Sequence, residues 1–344
     1  MVKIIMEENN KRVRESLNIY DQGSFMIGGS IIQDSGVYNP FDPKTPGQSL
    51  HGDHAYVFYQ IPVNARPLPM VFIHGNGQSK KTWETTPDGR DGFQNIFLRR
   101  KFSVYLADQP RRGEAGRACV SMQIQAMCDD QSSLFNMFRI GRWPEYFPGV
   151  QFSRSPECLN QLFRSATPNT GDFDLDVISD AFAMLFERIG GGILVSHSRG
   201  GGCGWATVMK SNYIKGVVAF EPGSNFVFPE GELPEPMSSS LGVLEAIEIP
   251  LERFMALTRI PIVVYYADNI PDTPTNHYGQ DMWRVRREMT KKFVKCINNH
   301  GGDAQFISLP ELGIYGNTHF AFADLNNLQI ADLVSDYLHE KNLD

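Results

Sequence analysis

The sequence predicts an α/β protein built on a mainly parallel sheet with helices on both faces. Two observations carry this. Continuous apolar runs such as Met70–Gly75 and Phe102–Asp108 read as strands buried on both sides. Between them lie segments whose apolar residues recur at helical spacing, and strand–helix alternation is the mark of a parallel, two-faced sheet. A third observation points to chemistry. The run Ile193–Val195 breaks into Ser196-His197-Ser198-Arg199-Gly200 and a glycine run, the outline of a strand–serine–helix elbow.

In chain order, residues 1–23 are polar and are expected to be a loosely docked lead-in. Ser24–Ile32 and His54–Pro62 read as strands around a Pro/Gly/Asp-rich connection. A helix is expected near Gly92–Arg100, before the strand Phe102–Asp108. From 110 to about 170 the rhythm is lost. Met122, Met127, Phe135, Met137, Phe138, Trp143 and Phe147, with Pro144, Pro148 and Pro168, read as a mostly helical cap insertion. Asp176–Ile189 is a helix by the spacing of Val177, Ile178, Ala181, Phe182, Leu185 and Phe186. After the elbow come strands at Gly216–Glu221, Ile260–Asp268 and Ala304–Leu309, with helices near Gln280–His300 and Asn326–Lys341. Residues 224–257 read as a second insertion, Pro- and Ser-rich early and helical later. The expected organisation is therefore the lead-in 1–23 and a single domain over 24–344.

Composition sets bounds. The 344 residues are 42% hydrophobic and 21% charged, ordinary for a globular protein. A net charge of −7, a pI near 5.7 and no basic cluster argue against a nucleic-acid partner. Met1–Arg14 lacks the apolar core of a signal peptide and no run is long enough to span a bilayer. A cytoplasmic protein with no membrane partner is expected. The five cysteines (Cys119, Cys128, Cys158, Cys203, Cys296) include no C-x-x-C pair and read as free thiols.

A serine hydroxyl needs a base, and the base needs an orienting carboxylate. Downstream of Ser198 the candidate bases are His277, His300, His319 and His339. His319 is best placed, in a Gly-rich loop after the last strand. Glu221 and Asp268 each end a strand, and pattern alone does not choose between them. An oxyanion hole would take the backbone N–H of Arg199 and one from His74-Gly75-Asn76-Gly77, each worth about 3 kcal/mol.

Other signals fail. Gly200-Gly201-Gly202-Cys203-Gly204 lacks the Lys-Ser/Thr of a phosphate loop and reads as close packing of the elbow helix. Asp172-x-Asp174-x-Asp176 lacks the glycine and glutamate of a calcium loop and reads as a helix start. His51 and His54 have no third metal ligand nearby.

These stretches resemble the α/β-hydrolases, and more narrowly a small group of bacterial carboxylesterases. The likeness lies in Tyr59-Gln60-Ile61-Pro62, Ile73-His74-Gly75, Thr82–Arg90, Ser196-His197-Ser198, Glu221-Pro222-Gly223, Gly316-Asn317-Thr318-His319 and Asn326–Gln329. It spans most of 55–340 and is poor over 110–170. The resemblance implies the α/β-hydrolase fold with a mostly helical cap, Ser198 as nucleophile, Glu221 as acid and His319 as base. Asn76 and Arg199 would be the oxyanion donors. The esterase known in that group has two adjacent, disulfide-linked cysteines after His-Gly, where this chain has Asn76 and Gly77.

The expected activity is hydrolysis of a carboxylic ester or lactone through an acyl-enzyme, with no cofactor or metal. Acyl transfer on the same residues and a silent ligand-binding protein are the alternatives. The expected partner is a small ester or lactone, and a homodimer is an allowed assembly. The cap's apolar residues read mainly as core, with a lid over an apolar acyl or alcohol pocket as the addition.

Overall fold

The computed structural model describes residues 16–121, 124 and 130–344. Eight strands form the central sheet: β1 Ile19–Ile27, β2 Ala55–Pro62, β3 Met70–Ile73, β4 Val104–Asp108, β5 Gly192–His197, β6 Ile214–Phe220, β7 Pro261–Tyr266 and β8 Asp303–Ser308. Their order is β1-β2-β4-β3-β5-β6-β7-β8. The pairs β1·β2 and β2·β4 are antiparallel and every later pair is parallel. This is the mainly parallel sheet that the sequence predicts.

Alternation along the strands divides the core into two layers. Val71, Ile73 and Leu194 face one side, where α4 (Leu175–Arg188), α5 (Arg199–Val208) and α6 (Tyr278–Asn299) bring Phe182, Trp205 and Phe293. Met70, Phe72 and Val195 face the other, where α1 (Phe93–Arg99) and α7 (Asn327–Glu340) bring Phe97 and Tyr337. Strands buried on both faces must be apolar at every position, which is why β3 and β5 read as unbroken runs. Helix α4 starts where it does because the Asp174 carboxylate accepts from the N–H groups of Asp176 and Val177, both at 3.1 Å. The Asp172–Asp176 segment is thus a helix cap.

Three expectations are corrected. First, β1 begins at Ile19, inside the 1–23 lead-in, and ends at Ile27; Ser30–Gln33 is a separate strand paired with Ser49–Gly52. The sequence hid β1 because it is an edge strand with exposed residues between its inward ones. Second, the 110–170 insertion is not mostly helical among the described residues. It holds two short helices, α2 (Gln131–Met137) and α3 (Pro156–Arg164), and a small hairpin of Gly141–Arg142 with Glu145–Tyr146. Third, the 224–257 insertion is built first from short strand pairs, Val227–Pro229 with Ile247–Ile249 and Met237–Ser239 with Gly242–Leu244. Helix appears only at Leu251–Phe254, continued as a 3-10 turn to Thr258. Met122, Met127 and Cys128, and the lead-in before residue 16, lie outside the described residues.

Among the described residues no helix is long and apolar enough to cross a membrane. Cys119, Cys158, Cys203 and Cys296 are all free thiols.

Candidate active site

The carboxyl ends of β3, β5, β6, β7 and β8 meet at one rim, where ligands of such sheets bind. Ser198 follows β5 directly with φ 56° and ψ −124°, a left-handed conformation that a non-glycine residue adopts only when held there. Its N–H donates to Phe220 O, and its carbonyl accepts from Gly201 and Gly223 N–H, each at 3.0 Å. The glycine run lets α5 leave the turn. A Cβ at Gly200 would lie 2.6 Å from His74 O, and one at Gly201 2.5 Å from Pro222 Cβ. Close packing, as expected, accounts for these glycines.

The histidine and the acid meet. His319 Nδ1 and Glu221 Oε2 are 2.5 Å apart, both side chains buried. Glu221, itself at φ 44°, accepts on Oε1 from the Ala267 N–H at 2.8 Å and pairs through the same oxygen with the Arg139 guanidinium. Burial pushes the Glu221 pKa up, but the Arg139 charge and the His319 and Ala267 bonds outweigh it, and the carboxyl is held below its ordinary range. Burial lowers the His319 pKa; Glu221 opposes this, and the charges of Arg139 and Arg286 reinforce it, so the ring is neutral at neutral pH.

Asp268 has other partners. Its carboxylate accepts from Gly316 N–H at 2.7 Å and Asn269 N–H at 2.6 Å. It anchors the loop that carries His319 and makes no hydrogen bond to the imidazole. Of the two acids that pattern left open, Glu221 holds the ring.

The loop has a second anchor. Asp324 accepts from Thr318 N–H at 2.7 Å, Thr318 Oγ1 at 2.8 Å and Asn317 Nδ2 at 3.0 Å. Arg90 ties that segment down by donating to Asp324 O at 3.0 Å and Asn327 Oδ1 at 2.7 Å, which gives the Asp88–Arg90 and Asn326–Asn327 stretches a structural role.

Ser198 and His319 line one cavity of about 230 Å³, without a hydrogen bond between their side chains. Catalytic contacts are often loose before substrate binds. Asn76 and Arg199 line the same cavity. Their backbone N–H groups make no hydrogen bond within the described residues; that of Arg199 opens a helix and has no intrahelical acceptor. A Cβ at Gly75 would sit 2.8 Å from Ser198 Cβ, so the His74–Gly77 loop passes directly beside the serine. His74 fixes that loop: its ring nitrogens engage Gly75 O at 2.9 Å and the Gln109 N–H at 3.2 Å. Burial lowers its pKa to about 4, so it is a neutral structural residue.

The remaining histidines are elsewhere. His277 caps α6, His300 bonds Glu232 at 2.8 Å and His339 is exposed near Asp344. None of the three lines the cavity. His197 is buried and donates from Nε2 to the His319 carbonyl at 2.9 Å; its ring packs 4.3 Å from that of His319. Glu232, Cys296 and His300 have ligand-type atoms within 4.8 Å of one another, but they bond among themselves away from this cavity.

Sequence reasoning missed several residues that shape the site. Arg139, fully buried at φ 55°, bonds Glu221 and donates from Nε to Asp268 O at 3.0 Å. Trp283 lies against the His319 ring, centroids 4.1 Å apart, and Phe138 O accepts the His319 N–H at 2.9 Å. Leu134, Met137, Phe138 and Leu162 of the insertion line the cavity, as the lid reading expects. The available signal for Arg139 was a lone cation inside the apolar stretch Leu134–Ile140.

No protein-family model matches the sequence. The structure of a bacterial esterase superposes with a TM-score of 0.75 at 29% identity, covering 95% of this chain and 98% of that one. A protein named as a probable secreted lipase, phiG, from a fungal species (strain ATCC 74256) is 27% identical over 327 residues, covering 83% of this chain and 86% of its own.

Proposed function

The chain belongs to the α/β-hydrolase superfamily, and we propose that within it the protein is a serine hydrolase that cleaves carboxylic esters or lactones through an acyl-enzyme. Its similarity to an esterase and to a protein named as a lipase supports ester chemistry. The observation that carries the residue assignment is the 2.5 Å contact of Glu221 with the Nδ1 of His319, whose ring lines the same cavity as a serine held on a strained elbow.

In this reading Ser198 Oγ attacks the substrate carbonyl and His319 Nε2 takes the hydroxyl proton. Glu221, ionised through Arg139 and Ala267, orients the ring through Nδ1–H and stabilises the imidazolium. The Asn76 and Arg199 N–H groups receive the negative charge that develops on the carbonyl oxygen. Collapse breaks the bond to the alcohol, which leaves with the proton from His319. Water then attacks the acyl-enzyme, giving its proton to His319, and the acid departs as Ser198 recovers its hydrogen. The chemistry calls on no cofactor.

The test is labelling of the folded protein by a neutral fluorophosphonate, followed by a screen of short- and long-acyl esters and lactones. Labelling lost in Ser198→Ala, with turnover of at least one ester, is expected. An unlabelled folded protein would leave a silent ligand-binding role in place of catalysis. Adding an alcohol during turnover separates hydrolysis from acyl transfer by the ester it forms. Cytoplasmic location belongs to the same proposal and contrasts with the fungal relative's name. The free Cys119, Cys158, Cys203 and Cys296 support a reducing compartment, and fractionation of cells making the full chain tests it.

A further inference from the structure

Arg199 and Arg286 line the cavity beside Ser198, and among the described residues neither has a carboxylate partner. Among the described residues Arg199 makes no side-chain hydrogen bond; its guanidinium lies 4.8 Å over the ring of Phe173, which lines a neighbouring recess with Arg112 and not this cavity. Arg286, from α6, donates from Nε to Gly223 O at 2.8 Å and from Nη1 to Met282 O at 2.9 Å, which leaves Nη2 without a partner. A Cβ on Gly223 would lie 3.7 Å from both Arg286 Nε and the Ser198 carbonyl carbon, so this guanidinium sits close to the nucleophile's backbone. Among the described residues no Asp or Glu lines the cavity. The Ser224 hydroxyl in the same wall is buried and has no partner either.

Elsewhere several sheltered arginines bond an acid, whereas the buried Arg112 is held by the carbonyl and side-chain oxygens of Thr167 and Asn169. Arg111 bonds Asp53, Arg139 bonds Glu221 and Arg287 bonds Asp272. The chain carries a net charge of −7, so acids are not in short supply. Burial lowers the pKa of both Arg199 and Arg286, and no carboxylate acts on either. A cation taken out of water without a counter-charge is costly, and such sites are satisfied by an anion that arrives from outside. Arginine is also the residue suited to gripping a planar carboxylate.

We infer that the substrate is an ester or lactone bearing a carboxylate group, which Arg286 grips while Ser198 meets its carbonyl. This rests on the esterase reading above and adds the charge of the substrate to it. The carboxylate can stand on the acyl or on the alcohol side, and the two sides are separable by experiment.

The test compares kcat/KM within two matched pairs on the full chain. Mono-4-nitrophenyl adipate against 4-nitrophenyl heptanoate probes the acyl side. Sodium 4-acetoxybenzoate against its methyl ester probes the alcohol side. In at least one pair the anionic member is expected to be favoured by about tenfold or more, the range of a charge-assisted contact. That preference should shrink about tenfold in Arg286→Gln and far less in Arg199→Gln, and should fall when NaCl is raised from about 0.05 to about 0.5 M. Fluorophosphonate labelling of Ser198 checks that each variant remains folded at the site. A neutral member favoured or equal in both pairs overturns the inference while leaving esterase activity standing. So does an anionic preference that survives Arg286→Gln and salt. Turnover of none of the four, with Ser198 unlabelled, removes the esterase reading itself and the inference with it.

Discussion

The ends of β6 and β7 lie side by side, and each delivers a carboxylate to the same rim. Glu221 spends one oxygen on the His319 ring and the other on Arg139 and Ala267. Asp268 spends both on backbone N–H groups, of Asn269 and Gly316. Equivalent positions in a parallel sheet therefore do different work: one acid addresses the imidazole, the other the loop that carries it. What decides is the partner, and the partner comes from outside the sheet. A buried carboxylate facing a ring stays ionised here because a guanidinium from the insertion faces it too.

The sharpest way to break that comparison is to neutralise each acid in turn. Glu221→Gln removes the charge that steadies the imidazolium and is expected to lower kcat on an activated ester by about 10³- to 10⁴-fold. Asp268→Asn keeps one acceptor for the loop and is expected to cost about tenfold. A larger loss from Asp268→Asn would reverse the assignment of the two strand ends.

Arg139 bridges both regions, so its removal strikes both. Arg139→Met leaves Glu221 buried without its cation, and urea unfolding should show a loss of about 3–5 kcal/mol, together with reduced kcat. Unchanged stability would mean that the cation is dispensable to the acid.

A smaller effect isolates the loop. Gly316 has φ 80°, and a Cβ there would come 2.0 Å from Gly149 O. Gly316→Ala should destabilise by about 1–3 kcal/mol, seen as a lowered thermal midpoint, while leaving the Glu221 contacts intact. Fluorophosphonate labelling that slows in step with the lost stability would show that the Asp268 region positions the base.

The smallest effect lies in pH. In the proposed mechanism the neutral imidazole is the working form, and the His319 pKa is lowered, so the acid limb of kcat/KM should have its midpoint below the ordinary 6.5, with a plateau above it. Glu221 raises that pKa, so the residual activity of Glu221→Gln should show its limb at still lower pH. Asp268→Asn should leave the limb in place. Two limbs that moved together would erase the difference between the acids.

How much of this was legible in sequence follows from how local each signal is. The buried strands and the elbow announce themselves because burial on both faces and a tight turn constrain every residue in the run. His319 was readable from its place after the last strand. Pattern could not separate Glu221 from Asp268, because both satisfy the same positional rule; the likeness to the esterases points to Glu221, which is the one that contacts the His319 ring. Arg139 was not legible, since its partner Glu221 is 82 residues further along the chain and nothing local demands the pairing. The start of β1 and the strands of the 224–257 insertion were missed for a related reason. Their conformation is set by what they pair with, and their own side chains alternate too weakly to declare it.

The contacts of Phe138 and Arg139 tie the insertion to Glu221 and His319, and this bears on how the protein can change. A cap that only covered a pocket could be exchanged with that of a relative to retune specificity. Here the turn at 138–139 supplies the acceptor for the His319 N–H and the counter-charge of Glu221. A chimera that replaces residues 130–165 wholesale would thus inherit a new pocket and an unsupported acid together. A graft can exchange α3 and the hairpin, whereas the short turn after α2 has to travel with the sheet it serves.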